Sequence, residues 1–181
     1  MIAKRCFTIL FIIAVFACVN CLAQESEKLE ESIEKEERHV VSVTFGYTYI
    51  GEGAELGASE ANGVFVPTFG LDYFHVIDRK WELGIMVDLE LDHYLIVEKE
   101  LERENAFIAT LMAVHKLRRT WYLLAGAGIE IEGNKNLAVL RLGMERPLRL
   151  RNNWFLGPAI FFDIKEGYDT WSLSIGIGKK F

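Results

Sequence analysis

From residue 39 onward, apolar and polar residues alternate with a period of two, the mark of strands whose two faces meet different surroundings. Val41, Val43, Phe45, Tyr47 and Tyr49 share one face of the first segment, with Ser42, Thr44, Gly46 and Thr48 on the other. The alternation is sharpest where Trp81, Leu83, Ile85, Val87, Leu89 and Leu91 interleave with Glu82, Gly84, Met86, Asp88, Glu90 and Asp92. The same spacing links Phe65, Pro67, Phe69, Leu71 and Tyr73, and it links Trp121, Leu123, Ala125, Ala127, Ile129 and Ile131. Three more segments follow it: Ala138 to Met144, Trp154 to Phe162, and Trp171 to Phe181. Residues 106–117 carry apolar groups on both faces, so their pattern points either way. With that segment included, the chain predicts an all-β domain of about eight antiparallel strands.

The connections alternate in length. Residues 78–80, 118–120 and 149–153 are compact and basic or turn-like, whereas 51–62 and 98–104 are longer and mostly acidic. Residues 134–136 and 165–169 are read as two short connections on the same side as the long ones. Each basic turn leads into Trp-x-Leu, at Trp81, Trp121 and Trp154, so each opens a strand running the same way. An even strand count then places both chain ends beside the short turns.

The N-terminal composition adds a cellular route. Lys4 and Arg5 precede an apolar run from Cys6 to Val19, and Cys21-Leu22-Ala23 supplies small residues at cleavage spacing, so residues 1–23 read as a secretory signal peptide. An uncleaved anchor helix would need a longer apolar run. Val15-Phe16-Ala17-Cys18 matches a lipid-attachment signal only loosely, because Phe16 is bulky. Cleavage after Ala23 removes Cys6, Cys18 and Cys21, which excludes disulfide scaffolds and thiolate chemistry. It also removes Lys4 and Arg5, taking the formal charge from −6 to −8 and arguing against a nucleic-acid binder. Residues 24–38 are rich in Glu and Lys, with Leu29 and Ile33 their only sizeable apolar groups, and read as a solvated acidic lead-in to a domain over 39–181.

Alternation alone does not say which face is outside, and a secreted soluble lipocalin-like ligand-binding barrel would turn the apolar set inward. Two features favour a membrane-spanning barrel. Trp81, Trp121 and Trp154 each take the first apolar position after a short turn and, with Phe181, form a girdle at one height; Trp171 belongs to an opposing girdle. The opposite faces carry Asp88, Glu90, Asp92, Glu130, Arg141, Glu145 and Lys180, an interior charge network that would be costly against lipid. The last strand, Trp171-Ser-Leu-Ser-Ile-Gly-Ile-Gly-Lys-Lys-Phe181, resembles the C-terminal strand of bacterial outer-membrane barrels, and residues 39–181 resemble the small eight-stranded outer-membrane families, including outer-membrane protein A-type domains. Lys179 departs from that pattern, standing where an outward apolar residue is usual. The resemblance implies an up-and-down transmembrane β-barrel in the outer membrane of a Gram-negative cell, with periplasmic termini. Its implied partners are outer-membrane lipid, lipopolysaccharide and, during biogenesis, the barrel assembly machinery.

A barrel this narrow is filled by its own side chains, so an open pore is not expected. The charges read as a satisfied network, and the spacing of candidate ligands identifies neither a metal nor a cofactor. Some small barrels that this chain resembles modify lipid A, and His93, Ser172 and Ser174 are the residues such a reading would enlist; no family motif surrounds them. The expectation is therefore a monomeric, non-catalytic barrel with a structural or surface-binding role; the acidic loops at 51–62 and 98–104 read as solvated, with an adhesion or binding role as the alternative.

Overall fold

The computed structural model describes residues 37–51, 54–55, 63–96, 101–117, 120–133 and 135–181. The signal peptide at 1–23 and all but the end of the lead-in at 24–38 lie outside the described residues, as do most of the 51–62 loop, residues 97–100 with Glu98 and Glu100, Arg118-Arg119 and Asn134.

Eight long strands close on themselves. They are β1 His39–Ile50, β2 Val64–Val76, β3 Trp81–Glu90, β4 Phe107–Leu117, β5 Trp121–Ile131, β6 Leu137–Glu145, β7 Trp154–Lys165 and β8 Asp169–Lys180. Each pairs antiparallel with its sequence neighbours, and β8 closes the sheet on β1 from Val40↔Lys180 to Ile50↔Thr170. Closure leaves this sheet without an exposed edge. At the end opposite His39 and Phe181, a second small sheet joins Ala54–Glu55, His93–Ile96 and Leu101–Glu104.

Inward glycines permit the tight curvature. A Cβ at Gly128 would lie 1.9 Å from the Ala109 carbonyl oxygen, and one at Gly46 would lie 2.3 Å from that of Leu173. A larger side chain at either point would push the neighbouring strand away. In the β6–β7 connection, Leu148–Arg149 pairs back onto β7, and Asn152 and Asn153 take positive φ angles of 57° and 65°. Asparagine tolerates that left-handed region better than most residues.

The segment with two apolar faces is decided by its neighbours. In β4, Ile108, Thr110, Met112 and Val114 point inward, while Phe107, Leu111 and Leu117 point outward. This facing places Lys116 on the inner side, where its Nζ lies 2.5 Å from Glu82 Oε1. It also leaves Leu111 between Ile85 and Ala127 on the outside.

Two connections differ from the sequence expectation. Lys165, read as part of a loop, is the buried last residue of β7, because the alternation continues one step beyond Asp163. The stretch 98–104, read as an acidic loop, ends in the strand Leu101–Glu104, whose Arg103 is buried.

Candidate functional site

The two faces of the barrel are chemically opposite. Outside, Leu71, Ile85, Leu111, Leu142, Leu173 and Ile175 are exposed, with Leu111 at 66% and Leu173 at 67%. Inside, Asp72, Asp88, Glu90, Glu130, Arg141, Asp163 and Lys165 are buried. A soluble lipocalin-like barrel would have the reverse arrangement, so that alternative fails on the facing itself. Surface apolar groups in so continuous a belt suit lipid chains rather than water.

Aromatic groups lie toward both ends of the belt. Trp81, Trp154 and Phe181 are exposed beside the short turns, and Trp121 is half-buried, with the Arg146 guanidinium 5.5 Å from its ring centre. Lys179, the departure from the terminal-strand pattern, holds its ammonium 5.0 Å from the Phe181 ring and 5.9 Å from that of Trp154. Its stem can thus follow the apolar surface while its charge reaches the interface. At the other end, Trp171 stacks at an angle on Phe162 with centroids 4.5 Å apart, and Tyr49 meets Phe65 at 5.0 Å.

The interior charges gather at three levels instead of one network. Near the short turns, Glu82 meets Lys116 at 2.5 Å and Lys180 at 4.0 Å, with Glu145 half-buried nearby on β6. Midway, Arg141 binds Asp163 through Nε and Nη2, each at 2.7 Å, and its Nη1 donates to Asp88. This fork between two carboxylates satisfies a guanidinium that would otherwise be costly to bury.

At the mouth far from the short turns, Lys165 Nζ lies 3.0 Å from Glu90 Oε1 and 2.8 Å from Glu130 Oε2. The Tyr168 hydroxyl adds hydrogen bonds to both Glu130 oxygens. Arg103 closes this cluster from above: Nε lies 3.0 Å from Glu130 Oε1, while Nη1 donates to Glu132 and to the Lys135 carbonyl. Asp92 stands apart from β3, which ends at Glu90; it lies in the following bend, its carbonyl accepting the Asn105 N–H. Sequence reading missed Lys165 and Arg103 as members of the charge clusters.

Between these levels runs a hydroxyl chain. Thr48 bonds Thr68 at 2.7 Å and Ser172 at 2.9 Å, beside a small cavity bordered by Asp88, Glu90, Arg141 and Ser174. The space suits ordered water and is too small for an organic ligand. Ser172 thus belongs to the interior, whereas His93 belongs to the outer sheet, where its backbone pairs with Glu104.

No protein-family model matches the chain, and neither does any curated protein sequence. Solved structures do match. Neisserial surface protein A aligns with a TM-score of 0.54 at 9% identity, over 79% of this chain and 97% of that one. The N-terminal β-barrel domain of Pseudomonas aeruginosa OprF aligns with a TM-score of 0.51 at 14% identity, over 80% of this chain and 98% of that one. The fold is that of a small outer-membrane barrel. At these identities the likeness concerns architecture, and an outer-membrane barrel's lipid-facing surface is the apolar one found here.

Proposed function

We propose that the protein is an integral outer-membrane barrel serving as a sealed, monomeric scaffold whose outer sheet and loops form a surface-binding element. One observation carries this reading: an apolar exterior surrounds an interior closed by charge clusters at three levels. Such a filled barrel crosses the bilayer without conducting through it. The termini lie at the periplasmic end, and the small sheet with Arg103 lies at the outer end.

Purified outer membranes provide the test, through gel migration of unheated and boiled samples. A faster unheated band in that fraction is the expected result. Recovery as a soluble periplasmic protein without a heat-dependent shift would overturn the reading. A planar-bilayer recording should likewise show no steady conductance.

The partners belong to the same proposal. Outer-membrane lipid covers the belt, and the assembly machinery reads the last strand during insertion. Divalent cations bridge Glu98, Glu100 and Glu102 to lipopolysaccharide, so replacing these three residues by Gln should abolish any cation-dependent gain in stability. The role in this reading is structural or binding, with the Ser172 hydroxyl held inside the barrel by Thr48. Lipid A acyl patterns should accordingly be the same in cells with and without the protein.

A further inference from the structure

The periplasmic rim brings together two imidazoles that lie far apart in the sequence. His39 opens β1, and His75 lies opposite it near the end of β2. The His39 N–H and C=O both bond Phe181 of the neighbouring chain end, at 3.2 and 2.8 Å, rather than β2. His39 and His75 therefore form a non-hydrogen-bonded cross-strand pair, the arrangement that brings side chains closest. Both are exposed, and their ring centroids are 5.2 Å apart at an interplanar angle of 54°.

That spacing has a chemical meaning. With metal–nitrogen bonds of about 2.0–2.1 Å, each ring centre stands about 3.2 Å from a shared ion, so two imidazoles at a tetrahedral angle have centres about 5 Å apart. His39 is also oriented from behind, for its Nδ1 lies 2.8 Å from the Tyr73 hydroxyl. When Nδ1–H donates to that oxygen, Nε2 carries the free lone pair, as in metal-ligating histidines held by an outer hydrogen bond.

We propose that His39 and His75 form a two-histidine chelate for a borderline divalent transition metal such as Cu²⁺, Ni²⁺ or Zn²⁺. Imidazole ligands suit these ions, with Cu²⁺ the tightest of the series. Among the described residues no group of three or more His, Cys, Asp or Glu gathers as ligands, so water completes the shell and the ion exchanges readily. The site ties β1 to β2 at the rim, on the outward face beyond Val41 and Tyr73.

The experiment is calorimetric titration of Cu²⁺, and separately Zn²⁺, into the folded cysteine-free protein from residue 24 onward in detergent, alongside His39→Gln, His75→Gln and His115→Gln. His115 packs on Trp81 at 4.4 Å, away from the pair, and serves as the control. The expected result is one ion per chain, with roughly 100-fold weaker binding in either pair variant, because the second ligand acts at high effective concentration only in the chelate. His115→Gln should bind as the parent does. Unheated gel migration confirms that each variant is folded. Equal affinity in parent and His75→Gln, or an equal loss in His115→Gln, would overturn the site.

Discussion

At the residue scale, Arg141 shows how a charge is held inside a narrow barrel. Its guanidinium lies 5.4 Å from the Phe161 ring centre and forks onto Asp163 while reaching Asp88 across the lumen. Arg141→Met leaves two buried carboxylates without their cation, which costs about 3–5 kcal/mol. Urea unfolding from phospholipid vesicles should show that loss, and adding Asp88→Asn with Asp163→Asn should recover most of it. Asp78 acts differently, in the exposed β2–β3 turn. Its Oδ1 accepts the Lys80 N–H at 2.6 Å and the Trp81 N–H at 2.8 Å, and these bonds hold its pKa below the ordinary carboxylate range. A depressed folded-state pKa gives stability that is fully present above the unfolded value, about 3.9, and is lost as pH falls through the lower folded one. Wild type should therefore exceed Asp78→Asn in urea midpoint by a constant margin from pH 7 to 5. Below about pH 4 the margin should shrink.

At the element scale, the outer sheet is pinned to the barrel by Arg103 and Ile96. Ile96 packs with Ile50, Val64 and Val66, while Arg103 reaches Glu130, Glu132 and the Lys135 carbonyl. Removing Arg103 leaves Glu130 bonded to Lys165 and Tyr168, so the barrel mouth stays closed while the sheet is released. Hydrogen exchange should show Arg103→Met losing roughly 100-fold protection in Leu101–Glu104, the equivalent of about 3 kcal/mol for a broken buried pair. The β1–β8 amides should be unaffected. These elements also show where sequence reading succeeds. Alternation defined the facing of β1, β2, β3 and β8, because away from the strand ends their charged and hydroxyl-bearing aliphatic side chains occupy only one face, His39, His75, Asp169 and Lys179 being the outward exceptions at the ends. In β4 the inward row includes Ile108, Met112 and Val114, as apolar as the outward one, so only pairing decides it. Lys165 carried a cue, the next inward step after Asp163, which the turn residues Glu166 and Gly167 obscured. Arg103 alternates with Glu102 and Glu104 over too few residues to be recognised as a strand. The His39–His75 pair depends on cross-strand register and has no local signature.

At the scale of the whole molecule, the decisive property is the solvent that the exterior is built for. Leu111 lies near the middle of β4, flanked by Ile85 and Ala127, and is 66% exposed. In water, replacing so exposed a leucine by arginine would be close to neutral, since it uncovers no core and leaves no polar group unpaired. In a bilayer the same position lies close to the midplane, where an outward arginine costs about 2–4 kcal/mol, the penalty falling toward zero at the interfaces. Leu117, outward at the short-turn end of the same strand, provides the comparison. Leu111→Arg should lower the unfolding free energy from phospholipid vesicles by that amount, and Leu117→Arg by less than about 1 kcal/mol. The depth dependence is the informative part. A soluble or merely surface-bound barrel would respond equally at both sites, whereas a membrane-spanning barrel must respond more at the middle because its charge there has no water to reach.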